Sequence, residues 1–303
     1  MLGAAVPFAH SNESGSEPLL WLIPLLLVSF GTALYAVGVL AYRARRGRRW
    51  SRWRTASWLT GTALVASAMS PAMTAITGDA SQHMVQHLLL GMLGPLGLVM
   101  GAPVTLVLGG APPSTGRRIT AVFGSRPIRL LGHPVTAGVL SVGGVFVLYL
   151  TPLYALSADH DAVHALVHAH FLASGYLFAW AIAGPDPAPH RPSMSVRVAV
   201  LVLAGGAHSY LGKLLYSRAG ELPPGAGHSA ADLQAAAQWM YYGGDVTELL
   251  LACGLFAAWY RHRARGGRRG GGDRRGRSGR PPRKADGRRP CATCATSCRL
   301  GSP

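Results

Sequence analysis

The sequence predicts an all-α fold: a polytopic membrane helical bundle of about seven transmembrane helices. The first observation is that 49% of the 303 residues are hydrophobic although the formal net charge is +17. The second is that the basic residues are concentrated in short runs. The stretches between them stay apolar for the ~20 residues that a helix needs to cross a ~30 Å hydrocarbon core. Because backbone groups in lipid must form their hydrogen bonds within the segment, these stretches are expected to be helices.

The loops between the apolar stretches predict the orientation in the membrane. Arginines cluster in the loops after the first, third and fifth stretches, whereas acidic residues occupy the loops after the second, fourth and sixth. Because basic loops stay in the cytoplasm, this alternation predicts an N-terminus outside and a cytoplasmic C-terminus. The seven stretches lie at residues 19–41, 55–77, 83–108, 133–152, 160–183, 197–216 and 238–260.

Composition divides the chain into three parts. Residues 1–18 are expected to form a short exoplasmic N-terminus, and residues 19–262 the seven-helix transmembrane domain. Residues 263–303 are rich in Arg, Gly and Pro without apolar periodicity, so a disordered basic cytoplasmic tail is expected. A basic tail after a last helix touches anionic lipid more often than nucleic acid. Membrane lipid is therefore an expected partner, and nucleic acid is not.

Histidines and methionines gather at the predicted outer ends of four helices. Histidines four residues apart share one face of a helix, and ionisable groups inside a membrane usually face the bundle interior. Imidazole is a good ligand for copper, and thioether sulfur selects Cu(I). These patterns predict a copper site, with the ion as Cu(I). Its candidate ligands are Met69 and Met73 in the second span, His83 and His87 in the third, His160, His164 and His168 in the fifth, and His208 in the sixth.

Of the other polar groups near this cluster, two histidines are excluded as ligands, and two carboxylates keep several possible roles. His170 points away from His168 on the helical wheel, and His133 opens the fourth span from the cytoplasmic side, where a capping role is expected. Asp245 and Glu248 lie within the seventh span and are expected to be paired or protonated. They could orient imidazoles, bind the ion, relay protons or only fix helix packing. Whether the tail thiols bind Cu(I) or zinc is also open: Cys291, Cys294 and Cys298.

Several stretches resemble the CtaG-like family of assembly factors for caa-type cytochrome c oxidases. They occur in the family's order and together cover about residues 57–262. One stretch departs from the family pattern, because a D-Q-Q-x-G-G-like segment reads DLQAAAQ and keeps only Asp232 and Gln234. The stretches are HMVQHLLLGMLGPLGLVMGAPVTLVL at 83–108, GHPV at 132–135, the H-x-x-x-H run at 160–168, ASGYLFAWAIAGPDP at 173–187, and DLQAAAQWM at 232–240 before GGDVTELLLA.

The resemblance implies a multi-pass protein of the bacterial plasma membrane that helps to mature a copper-containing oxidase, with oxidase subunits as partners. Combined with the histidine cluster, it leads to the hypothesis of a non-enzymatic assembly factor that binds copper at the outer face and hands it over. Two alternatives stay open. A heme-binding redox protein or heme-modifying enzyme could use His87 and His164 as paired axial ligands. A copper importer could use the same outer site as its entrance.

Overall fold

The structure, a computed structural model, describes residues 17–70, 73, 79–188 and 191–277. Every regular element within these ranges is helical, which confirms the all-α prediction. The chain divides into two units, residues 1–259 and residues 260–303. The predicted exoplasmic N-terminus, up to residue 16, and the tail from residue 278 onward, including its three cysteines, lie outside the described residues.

The helices follow one another with short connections. The last helix continues past residue 262, where we expected the membrane helix to end and a tail to begin. The disorder of that tail stays a prediction. The helices are α1 Glu17–Arg46, α2 Arg52–Ala68, α3 Asp79–Leu88, a π-helical turn at Leu89–Leu93, α4 Gly94–Met100, α5 Pro103–Gly110, α6 Pro113–Phe123, α7 Arg126–Leu131, α8 Pro134–Leu150, α9 Leu153–Asp159, α10 Asp161–Ala183, α11 Met194–Ser217 and α12 Ala230–Arg277.

Apolar helices identify a membrane protein. Four described stretches are long and apolar enough to cross a bilayer, and α8 with α9 makes a fifth if this pair, bent by 80°, is one span. Large apolar side chains such as Leu26, Leu203 and Leu249 are more than half exposed, as expected for a surface that faces lipid. The count of seven transmembrane helices and the orientation of the two termini in the membrane stay predictions. The four stretches are Pro24–Arg46, Ala80–Gly110, Asp161–Ala183 and Met194–Ser217.

The third apolar stretch changes helix type just after its histidines. Pro95 has no N–H to donate to the carbonyl of Gly91, four residues earlier. The helix widens into the π-helical turn at this point, a feature that is frequent at functional sites. Gly175 of α10 packs directly against the Gly91 carbonyl, because a Cβ at Gly175 would overlap that oxygen. Two glycines thus let the π-helical turn that follows α3 approach α10 closely, one turn beyond His87.

Asp186 joins the end of α10 to the beginning of α5. Its side chain is 1% exposed. Its carboxylate accepts hydrogen bonds from the backbone N–H of Val104 at 3.2 Å and of Thr105 at 2.7 Å, and from the Thr105 hydroxyl at 2.5 Å. The first N–H groups of a helix have no partner within the helix. A distant residue therefore caps α5, which begins just after Ala102 in a left-handed conformation with φ +53°.

The largest buried apolar cluster surrounds the histidine-bearing ends of the helices. It draws residues from six helices, all within residues 1–259, and its fully buried side chains include Tyr149, Leu211 and Met240. Phe171 of α10 belongs to it and lies 4.6 Å, between ring centroids, from His87 of α3. The histidine-bearing faces of α3 and α10 therefore point into the protein and not toward lipid, as the sequence predicted.

Candidate functional site

Three histidines from two helices form a compact group, called here the triad: His83 of α3 with His164 and His168 of α10. The ring centroid of His83 lies 6.0 Å from that of His164 and 6.3 Å from that of His168. The two α10 rings lie 4.2 Å apart, and their Nε2 atoms are separated by 3.1 Å. His168 is buried, whereas His83 and His164 are partly accessible.

The triad has nearly the dimensions of a ligand set. Two imidazoles on one tetrahedral ion at ~2 Å have nitrogens roughly 3.3 Å apart and ring centres roughly 5 Å apart. The His164–His168 nitrogens match that spacing, and the His83 ring would have to approach by about 1 Å. As the side chains stand, the described part of the chain holds no group of three His, Cys, Asp or Glu residues that meets the geometry of a metal site. Binding an ion here requires a small rotation of the rings.

A second group lies one helical turn along α3. The ring of His87 faces that of His208 on α11, with centroids 5.9 Å apart and planes inclined by 27°. These side chains are 3% and 4% exposed. The Nδ1 atom of His208 lies 3.9 Å from Oε1 of Glu248 on α12, close enough for electrostatic attraction but too long for a hydrogen bond. A cavity of about 40 Å³ borders all three side chains.

Several ring nitrogens and one hydroxyl in these two groups are buried without a hydrogen-bond partner among the described residues. Such groups are rare in folded proteins and cost about 1–3 kcal/mol each, unless a water molecule or ion satisfies them. Six such atoms lie close together here, where a water molecule or an ion would satisfy them. The atoms are Nε2 of His83, both ring nitrogens of His87 and of His208, and the Tyr149 hydroxyl.

Tyr149 of α8 lies between the two groups, and the sequence reasoning missed it. Its side chain is 0% exposed, and its ring centroid lies 6.2 Å from His83 and 6.5 Å from His87. The neighbouring Tyr154 approaches His83 at 5.0 Å between centroids and hydrogen-bonds to His228 at 3.3 Å. Tyrosines near helix ends are usual in membrane proteins because they anchor at the interface, so the sequence had no signal to separate these two.

The other predicted ligands are placed differently. His160 is exposed and stands at the N-cap of α10, without a side-chain cap bond. Met69 packs against Val65 and Leu90, in an apolar cluster separate from the one around Tyr149. Met73 is half-buried, and its backbone N–H bonds to the carbonyl of Ser70 at 3.1 Å. A role for these three residues as ligands stays a prediction.

Two exclusions made from the sequence are confirmed. Nε2 of His170 bonds to the backbone carbonyl of Leu140 on α8, 3.1 Å away, and so turns away from the triad. His133 is the N-cap of α8, where its Nδ1 accepts a hydrogen bond from the Val135 N–H at 3.3 Å.

The structure separates the two carboxylates that the sequence could not tell apart. Glu248 turns inward to His208, whereas Asp245 is exposed and accepts a hydrogen bond of 3.0 Å from the Ser209 hydroxyl. The two residues are three positions apart on α12, so a rotation of ~60° around the helix separates them. That rotation is enough to give one residue an interior partner and the other a partner at the surface.

Comparisons with known proteins agree with the resemblance seen in the sequence. Uncharacterized proteins of Mycobacterium bovis and Mycobacterium tuberculosis are each 37% identical over 203 residues, which is 63% of this chain and 31% of the relative. A protein of Mycobacterium leprae, also uncharacterized, is 36% identical over 186 residues, 59% of this chain and 28% of the relative. The chain thus spans about a third of the length of these relatives.

No solved structure matches the chain. The model of the cytochrome c oxidase caa3 assembly factor family matches residues 33–262. This range begins within α1 and extends into α12, so it includes the triad, the His87–His208 pair and Glu248. The chain therefore belongs to the cytochrome c oxidase caa3 assembly factor family.

Proposed function

We propose that the protein is a non-enzymatic membrane assembly factor that binds copper at the triad and hands it to a copper-containing cytochrome c oxidase. One observation carries the proposal: the His83 ring of α3 lies 6.0 Å and 6.3 Å, between centroids, from His164 and His168 of α10, whose own Nε2 atoms are 3.1 Å apart, near the spacing of ligands on one ion. Neutral imidazoles suit copper. The oxidase subunits are the partners, in keeping with the family.

Handover requires a site that is both selective and open. Three imidazoles leave a fourth ligand position free, and the partial exposure of His164 gives an incoming ligand access to the site. A fully buried four-ligand site would hold the ion permanently, as structural metal sites do. On the predicted topology this opening faces the outside of the membrane, where the oxidase copper centres would receive the ion.

A deletion strain tests the role in assembly. Cells without the protein should keep the oxidase polypeptides but lose copper-dependent oxidase activity, and excess external copper should restore part of it by mass action. The activity is measured in isolated membranes, with the polypeptides detected by immunoblotting. The His83→Ala/His164→Ala double variant should fail to complement, whereas His170→Ala should complement. Normal oxidase activity in the deletion strain would refute the role in assembly.

A heme has little room in the cavity beside His87 and His208. The cavity beside His87 and His208 measures about 40 Å³, whereas pockets for organic ligands usually measure ~300–1,000 Å³. A visible absorption spectrum of the purified protein separates the two functions, because a bound heme absorbs strongly and Cu(I) on imidazoles does not. A stoichiometric heme spectrum would contradict the copper proposal.

A further inference from the structure

We propose that His87, His208 and Glu248 form a second cation site, distinct from the triad, which takes a soft monovalent cation, namely Cu(I). The inference rests on the proposed function in one respect, because the cation is the same cargo. It adds that the protein holds two ions per chain, and that the carboxylate of Glu248 gives the second site its preference for a single positive charge.

The three side chains line one cavity. They come from α3, α11 and α12, and each borders the cavity of about 40 Å³. The rest of the wall is mostly apolar, including Met92 and Leu251. A cavity of this size exceeds the ~10–15 Å³ of probe-occupied volume needed for one water molecule, so an ion with a water molecule fits. A few polar groups that meet in an otherwise apolar cavity are the usual form of a small binding site.

The ring nitrogens at this site are available for binding. Neither His87 nor His208 has a hydrogen-bond partner for either ring nitrogen among the described residues. His208 Nδ1 and Glu248 Oε1 are 3.9 Å apart, within about 1 Å of the spacing of two ligands on one ion. A cation between them would satisfy groups whose burial is otherwise costly. A purely structural role would leave these nitrogens unpaired at that cost.

Two glycines make room for this arrangement. A Cβ on Gly244 of α12 would overlap the His208 ring, and a Cβ on Gly205 of α11 would overlap the Glu248 carboxylate. Each helix thus lacks a side chain where the other helix places its polar group. Glycine destabilises a helix by ~1 kcal/mol relative to alanine. Gly205 and Gly244 therefore lower the stability of their helices but leave room for the Glu248 and His208 side chains.

The charges determine which cation fits best. Two neutral imidazoles, one carboxylate and one monovalent cation have a net charge of zero, whereas a divalent cation leaves a net charge of +1. Burying a net charge in a medium of low dielectric constant is expensive, so a neutral assembly is favoured. The triad contains no carboxylate, but His164 is partly exposed, so solvent can share the charge there.

The two sites are one helical turn apart. His83 and His87 share a face of α3, separated by ~6 Å along the axis, and Tyr149 lies within 6.5 Å of both rings between centroids. The His83 ring lies beside His164 and His168 of α10, whereas the His87 ring lies beside His208 of α11, so in this arrangement the two rings belong to different groups. Binding one ion on each group requires small side-chain rotations in both, because neither group meets the geometry of a metal site as its side chains stand in the described residues.

Cation stoichiometry on the full chain, purified in detergent, tests the inference. The probes are Cu(I), titrated against a chromophoric competitor, and Ag(I), quantified by elemental analysis. We expect two ions per chain for the wild type and one for Glu248→Gln, whose remaining ion is lost on adding His83→Ala/His164→Ala. Asp245→Asn, three residues away on the same helix, is the matched control and should keep two ions. Zn(II) should bind at least tenfold more weakly than Cu(I) at the Glu248 site.

The outcomes separate the two proposals. One ion in the wild type, unaffected by Glu248→Gln but lost in His83→Ala/His164→Ala, would refute the second site and leave the proposed function standing. No ion in the folded wild type would refute both proposals. The ion kept by Glu248→Gln shows that this variant is folded, and Gly244→Ala, which displaces the His208 ring, should also retain only one ion. Equal affinity of the Glu248 site for Zn(II) and Cu(I) would overturn the charge argument.

Discussion

His164 and His168 stand one turn apart on α10, with ring planes inclined by 88° and Nε2 atoms 3.1 Å apart. At that distance one neutral ring can donate its Nε2 proton to the other ring. The same two nitrogens could instead bind one ion. Ion binding therefore competes with this hydrogen bond, which orients both rings while the ion is absent.

The triad predicts unequal effects for histidines on one helix. His168→Ala should weaken Cu(I) binding at the triad at least tenfold and reduce oxidase assembly, because it removes a buried ligand. His170→Ala, two residues away, should leave binding unchanged, because His170 bonds to the Leu140 carbonyl. Competition titration with a Cu(I) chelator measures both. Equal losses in the two variants would indicate a general effect on α10 and not a ligand.

The close approach of the π-helical turn, which continues α3, to α10 predicts a sharp effect of adding a methyl group. Gly175→Ala should destabilise the protein by about 1–3 kcal/mol, because the new Cβ would overlap the Gly91 carbonyl and force the helices apart. Copper affinity should fall in parallel, since the triad spans these two helices. Gly206→Ala is the control, because a Cβ there meets nothing within 4 Å. Thermal unfolding in detergent measures stability, and a neutral Gly175→Ala would show that the helices are not in tight contact.

Asp186 predicts a stability effect far from the histidines. Asp186→Ala should cost about 1–3 kcal/mol, because it leaves the N–H groups of Val104 and Thr105 at the start of α5 without their acceptor. Copper stoichiometry should stay unchanged at low temperature. Asp159→Ala, at an exposed carboxylate, serves as the control for lost charge. Unfolding curves that coincide for the wild type and Asp186→Ala would contradict the capping role.

The orientation in the membrane can be tested with single cysteines in a variant that lacks the four native ones. A cysteine at Ser114, in the basic loop between the third and fourth predicted spans, should react with an impermeant maleimide only after the cells are opened. A cysteine at Ala231 should react in intact cells. The reason is that basic loops remain cytoplasmic. Labelling of the Ser114 position in intact cells would reverse the predicted topology.

Local periodicity in the sequence was sufficient to predict membrane helices and the helix faces on which the histidines lie. Apolar runs of helical length predict membrane helices because lipid forces backbone hydrogen bonding within each segment. Four-residue spacing places His164 and His168 on one face, and the helical wheel turns His170 away, because 3.6 residues make one turn whatever the environment. The family could also be recognised from the sequence, because its motifs are contiguous stretches.

Tertiary structure decided which of these faces meet. Spacing along α3 cannot show that His83 faces α10 while His87 faces α11, because that depends on the π-helical turn and on the contact between Gly91 and Gly175. Nor can it show that Glu248, rather than Asp245, turns to His208, or that Tyr149 lies between the two histidine groups. The helical class and the faces of the histidines could be predicted from the sequence, since these follow from interactions a few residues apart. Only the packing of distant helices decided the partners, because contacts between them depend on how closely the backbones approach.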